Sequence, residues 1–260
     1  DYIYTFPPTA SSWCTIEPSE DKKTLSISVE PNNTDEPRET EITIIASALK
    51  KTLRVTQSAK SDESYYEDKE YIQLQKARKG NGINIVLMGD GFTKTDLQHG
   101  GYYESTMRQS ADYFFSIEPY ASYRDYFNVY MIAAESEEEG ISNSMQGIWV
   151  NNKFRSSFGE GSAINWDYGL CLDYVDCIPE LNGQPNILSI LILNSNYYAG
   201  TTVMSMDGYA VAACPMSRKE PPRDFEGLIH HEAGGHGFGF LNDEYVYYET
   251  QQLPKDIKEE

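Results

Sequence analysis

The chain has 260 residues, 40 acidic and 21 basic, which gives a formal net charge of −19. This argues against a nucleic-acid binder, because neutralising phosphates needs a basic face. Hydrophobic residues make up 40 %, and no apolar run approaches the roughly 20 residues that a membrane helix needs. The length allows one large domain or two smaller ones. The first residue is Asp1 and no basic-then-apolar leader comes after it, which reads as a mature or trimmed product. Cys14, Cys171, Cys177 and Cys214 form no C-x-x-C pair, so a zinc knuckle is not expected. A disulfide is allowed but not required, with Cys177–Cys214 as a guess at the pairing.

Charge and texture change near residue 60. The first 60 residues carry 9 acidic and 7 basic side chains, whereas the remaining 200 carry 31 and 14. Thr24 to Glu30 alternates Leu25, Ile27 and Val29 with polar neighbours, the period of a half-buried strand. Glu41 to Ser47 and Thr52 to Ser58 repeat the pattern, separated by turn-rich segments, and three such strands predict a small β-sandwich. The order of Ser12-Trp13, Leu25 to Val29, Asn32-Asn33, Arg38 before Thr43-Ile44, and Val55-Thr56-Gln57 resembles the BACON family. That family is an immunoglobulin-like module of envelope and secreted proteins of gut bacteria, so the resemblance implies an exported protein. It also raises glycan contact through the N-terminal domain, with Trp13 as a stacking platform. The plainer reading places Trp13 in the sandwich core and makes the domain a spacer. Ser58 to Glu70 is polar and without periodicity, as linkers are, which sets the expected domains at 1–61 and 62–260.

The second region reads as α/β. Ile83 to Met88 is a compact apolar run ending at Gly89-Asp90-Gly91, long enough for a buried strand. Gly89-Asp90-Gly91 lacks the further glycines and lysine of a phosphate loop, so a tight turn with Asp90 capping the next segment is expected. Met107, Ala111, Phe114 and Phe115 predict a helix between Thr95 and Ile117. Phe127 to Ala133 and Ile187 to Leu193 supply two more strands. Glu135 to Glu180, rich in Gly, Ser, Asn and acids, is expected to form long surface loops with a short helix around Leu170 to Cys177.

Chemistry concentrates at the end of the chain. Three of the four histidines, His230, His231 and His236, fall within seven residues, beside Glu232 and upstream of Asp243-Glu244. Zinc peptidases set two histidines one turn apart with a glutamate after the first, H-E-x-x-H, and the glutamate serves as base. Here three residues, not two, separate Glu232 from His236. On an α-helix, positions four apart lie about 40° apart and positions five apart about 140° apart. A π-bulge within Ala233-Gly234-Gly235 would return His231 and His236 to one face. The rival arrangement keeps the helix straight and makes Glu232 and His236 the ligands. His230 points elsewhere in both. The third ligand is expected to be a carboxylate, Asp243 first and Glu244 second, since His99 lies far upstream. Asp224 is the expected N-cap, and the glycines at 234, 235, 237 and 239 fit a helix pressed on a strand and then a sharp turn. A peptide substrate would pair with an edge strand within Asn194 to Thr202 or Tyr209 to Ala213.

These residues resemble the IgA-peptidase family of secreted bacterial zinc metallopeptidases. The matching pieces are Leu87 to Thr93, Pro119-Tyr120 to Tyr130, Ser136 to Gly140, and His236-Gly-Phe-Gly-Phe-Leu-Asn-Asp-Glu-Tyr245. The resemblance implies a zincin-like α/β (α+β) domain with a mixed sheet and an active-site helix. It further implies zinc on His231 and His236, Glu232 as general base, and Asp243-Glu244-Tyr245 completing the site. The expected protein is a secreted or cell-envelope zinc metalloendopeptidase of a Gram-negative bacterium, acting on a protein or glycoprotein. The alternatives are an inactive metal-binding relative serving as an adhesin or glycan-binding module, and a calcium-dependent binder, which lacks any EF-hand loop. No methionine turn comes after His236, so the chain is either a fragment or closes its site with residues such as Met204 or Met206.

Overall fold

A computed structural model of the chain describes residues 2–19, 23–32, 34, 36–46, 49–59, 64–205 and 208–243. It divides into two compact units, Asp1–Ser64 and Tyr65–Glu260. The first holds β1 (Ile3–Thr5), β2 (Cys14–Pro18), β3 (Leu25–Val29), β4 (Arg38–Ala46) and β5 (Leu49–Gln57). The predicted strands are β3, β4 and β5. The three-residue β1 is too short to stand out in the sequence, and β2, though as long as β3, has only Cys14 and Ile16 at alternating apolar positions. Strands β1, β4 and β5 make one antiparallel sheet and β2 with β3 a second. Cys14 and Ile16 from β2 and Ile42 from β4 are buried in one core, with Leu25, Ile27, Ile44 and Val55 packed against them.

Trp13 belongs to this core. It is 8 % exposed, and the Arg38 guanidinium lies over its ring at 4.5 Å, held there by the Gln57 side chain and the Glu30 carbonyl. No open indole face remains for a sugar, so the stacking platform has no support and the core reading stands.

The second unit is built on a six-stranded mixed sheet. In chain order its elements include β6 (Tyr71–Gln75), β7 (Ile83–Asp90), α1 (Tyr102–Phe114), α2 (Tyr120–Tyr123) and β8 (Phe127–Ile132). Next come β9 (Ser142–Asn143), β10 (Ser157–Phe158), β11 (Ile164–Asn165), α3 (Tyr168–Val175), β12 (Ile187–Leu193), β13 (Thr201–Met204) and β14 (Ala210–Pro215). The strand order is β13-β14-β12-β7-β8-β6. The inner four strands are parallel and both edges are antiparallel. Parallel strands covered on both faces need apolar side chains on both, which is why β7 and β12 read as unbroken hydrophobic runs. Leu87, Ile190 and Ala212 face α1 and the helix over residues 225–238, while Val86, Leu191 and Val211 face the opposite layer.

That opposite layer corrects one expectation. The stretch from Glu135 to Glu180 is not a set of surface loops, because Ile141, Phe154, Phe158, Ile164 and Tyr174 are buried against the sheet. Its irregular backbone is satisfied in part by Asp90, which is fully buried. The Asp90 carboxylate accepts from the N–H groups of Gly91, Phe154 and Ser156 and from the Ser136 hydroxyl, so it caps the turn after β7 and ties the layer down. The linker is also shorter than its polarity implied. Tyr66 is 5 % exposed and donates to Glu104 at 2.7 Å, which makes Tyr65 onward part of the second unit. Residues 60–63 lie outside the described residues. All four cysteines are free thiols. The guessed Cys177–Cys214 pair fails because Cys214 packs on one face of the sheet and Cys177 on the other.

Candidate metal centre

The site forms where the last helix of the described residues passes under the sheet edge. Asp224 begins it by accepting the Gly227 N–H at 3.1 Å, as expected of an N-cap, and α4 (Phe225–Leu228) leads directly into a π-helix over Ile229–Phe238. The sequence required one extra residue to be absorbed near Ala233 to Gly235, and the structure spreads the wider winding over ten residues. At its end the Gly239 N–H donates to the Gly234 carbonyl, five residues back, at 2.9 Å. Positions five apart then share a face. The Nε2 atoms of His231 and His236 lie 3.3 Å apart.

After Gly239 the chain turns back through Phe240, whose φ is +53°. This return brings the Leu241 carbonyl to 2.6 Å from His236 Nδ1. Nδ1 must carry its proton to donate there, which leaves the Nε2 lone pair free. Asp243 Oδ1 then lies 3.3 Å from both Nε2 atoms. Among the described residues, His231, His236 and Asp243 are the one group of metal-ligating side chains whose donor atoms converge this closely. Glu232 is not in that group, so the rival pairing of Glu232 with His236 is not what the winding produces. Glu244, Tyr245 and Met206 lie outside the described residues.

Other contacts fix this helix to its surroundings. His230 turns away from the triangle, and its Nε2 lies 2.8 Å from the Tyr113 carbonyl and 2.9 Å from Ser116 Oγ, tying the helix to the end of α1. Tyr120 donates from its hydroxyl to the Gly234 carbonyl at 2.6 Å. A Cβ at Gly237 would fall 2.7 Å from Leu188 Cδ1 on β12, so glycine is what lets the helix lie this close to the sheet.

Glu232 is 5 % exposed. Thr202 of β13 donates to its Oε2 at 2.7 Å, and a Cβ at Gly200 would sit 2.2 Å from its Oε1. Burial pushes the Glu232 carboxyl above the ordinary carboxylate range, while the Thr202 hydroxyl and the two imidazoles pull it back down. Neither Gly200 nor Thr202 was legible in the sequence, because no spacing relates them to Glu232. Only the sheet carries β13 over the helix. Of the two edge strands, β13 lies within and just beyond the first of the two expected stretches and has no further strand paired to it among the described residues; β14, in the second, is an interior strand. A cleft of about 930 Å³ runs along this edge, lined by Tyr198, Thr202, Met204, Glu232 and the three converging residues.

Two imidazoles and a carboxylate beside a buried glutamate are suited to metal-assisted hydrolysis. Comparison with known families gives the same class: residues 72–260 match the IgA peptidase M64 family, and the chain belongs to it. It is therefore a member of a metallopeptidase family. Residues 5–58 match BACON, a putative N-terminal binding domain typical of extracellular bacterial proteins. No curated protein matches the chain.

Proposed function

We propose that the chain is a secreted or cell-envelope zinc metalloendopeptidase, its second unit a zincin-like catalytic domain and its first an immunoglobulin-like spacer. His231, His236 and Asp243 hold the metal. The observation that carries this reading is the donor triangle with 3.3 Å separations. Tetrahedral zinc with bonds of about 2.0–2.1 Å needs ligand atoms about 3.3–3.4 Å apart. The donor set fits as well, two neutral imidazoles and one carboxylate, with His236 oriented by the Leu241 carbonyl. Zinc held there supplies a Lewis acid for the scissile carbonyl and makes water nucleophilic near neutral pH.

The chain's own residues do the rest. Glu232, buried at the cleft floor, takes the proton of the attacking water and delivers it to the leaving amine. Burial, which raises its carboxyl, favours a group that can both take and return that proton. The free edge of β13 offers backbone N–H and C=O groups to an extended peptide of a protein or glycoprotein substrate.

The test is elemental analysis of protein purified without added metal, followed by cleavage assays on protein substrates. The expected result is about one zinc per chain, lost in His236→Ala, and cleavage abolished by chelation and by Glu232→Gln. No zinc after addition and dialysis would overturn the metal assignment, and cleavage surviving in Glu232→Gln would overturn the assignment of the base.

A further inference from the structure

Glu232 sits at the first turn of an unusual helix, and nothing on that helix fixes its carboxylate. The group that does so comes from the edge strand β13, which packs on the helix. Thr202 Oγ1 lies 2.7 Å from Glu232 Oε2 and 3.0 Å from the carbonyl oxygen of the same residue. Two residues earlier, just before the strand begins, Gly200 leaves the space that Oε1 occupies. The β13–β14 register, Thr202 opposite Ala212 and Met204 opposite Ala210, sets Thr202 and Met204 on the cleft side of the strand. One face of one short edge strand thus serves two purposes: it borders the space for substrate and it grips the candidate base.

We propose that Thr202 is the positioning residue for Glu232, an inference that rests on Glu232 being the general base. A hydroxyl suits the task in a way that no other small side chain does. It donates to the ionised carboxylate. When the base accepts a proton in the reaction, the hydroxyl can turn its hydrogen to the Glu232 carbonyl and accept from the carboxyl instead. The base therefore keeps a partner 2.7 Å away in both states. Because Thr202 is on the strand expected to pair with substrate, a peptide that orders β13 also orders the base. Substrate binding and proton transfer are then coupled through one side chain.

The experiment compares Thr202→Val, which keeps the shape and removes the hydroxyl, with Thr202→Ser, which keeps the hydroxyl and removes the methyl. Both are measured for zinc content, kcat and KM on one protein substrate, and both are crystallised. Thr202→Val is expected to bind zinc as wild type does, keep its KM, and lose kcat by roughly 10- to 100-fold, the scale of a base displaced by about 1 Å. Thr202→Ser is expected to stay within about threefold of wild type. Equal losses in the two variants, or a Thr202→Val kcat near wild type, would overturn the proposal. Crystal structures decide it independently of activity: the carboxylate should keep its place in Thr202→Ser and leave it in Thr202→Val. A carboxylate unmoved in Thr202→Val overturns the positioning role, whereas a wild type that cleaves nothing overturns the peptidase reading instead.

Discussion

Replacing Gly200 by alanine tests how tightly the candidate base is confined. The added Cβ would lie 2.2 Å from Glu232 Oε1, 2.8 Å from Cδ and 2.9 Å from Cγ, where ordinary contact begins at 3.4 Å. Gly200 has no positive φ, so alanine is compatible with its backbone, and the three closest conflicts are all with the Glu232 side chain. Relief requires the two groups to part by about 1 Å, the difference between those distances. A displacement of that size at a reacting group costs on the order of 100-fold in rate. This corresponds to about 2.7 kcal/mol of transition-state stabilisation. Gly200 is not one of the three converging residues, so zinc content should match wild type. The assay is kcat on a protein substrate with zinc measured on the same preparation. A Gly200→Ala enzyme with wild-type kcat would refute the confinement argument. Loss of zinc together with activity would show that the strand had moved, not the carboxylate.

Three other perturbations probe the frame around the site. Tyr120→Phe removes the hydroxyl bonded to the Gly234 carbonyl and should destabilise the second unit by about 0.5–1.5 kcal/mol in denaturant titrations; an unchanged midpoint would mean that the π-helix does not depend on this bond. Asp90→Asn places an amide NH2 where Oδ2 accepts from the Ser156 N–H, so at least that buried donor loses its acceptor, at about 1–3 kcal/mol in the same measurement. Burial opposes it, yet hydrogen bonds from Tyr66, the Gly100 N–H and Arg108 hold the Glu104 carboxyl below its ordinary value. Stability from a lowered carboxyl is present above the unfolded pKa of about 4.3 and fades as pH falls through the folded value. The stability gap between wild type and Glu104→Gln should therefore be full at neutral pH and shrink in acid; a gap that grows on acidification would contradict the assignment.

The two-unit organisation, the strand runs at Ile83 and Ile187, and the cluster around His231 were legible because each is a local signal. An apolar run long enough for a strand, or histidines five apart with a glutamate between, needs no knowledge of the rest of the chain. The five-residue spacing even required the wider helical winding, since ordinary α geometry sends the two imidazoles apart by about 140°. Other features were invisible for the same reason. Glu135 to Glu180 is polar enough to read as exposed, and it forms a buried layer because its scattered apolar side chains meet the sheet and Asp90, far upstream, supplies acceptors for two of its N–H groups.

The amino-acid order by itself determined the family and singled out the residues proposed as the donor set, because residue identity and local period are properties of a single segment. The surroundings of Glu232 were decided by the tertiary structure alone. Thr202 and Gly200 lie 30 and 32 positions away along the chain. They meet the glutamate because β13 adds antiparallel to β14 and because a helix with glycine at 237 can lie against β12. That meeting is a product of sheet register and close packing, quantities that have no value until the chain has folded.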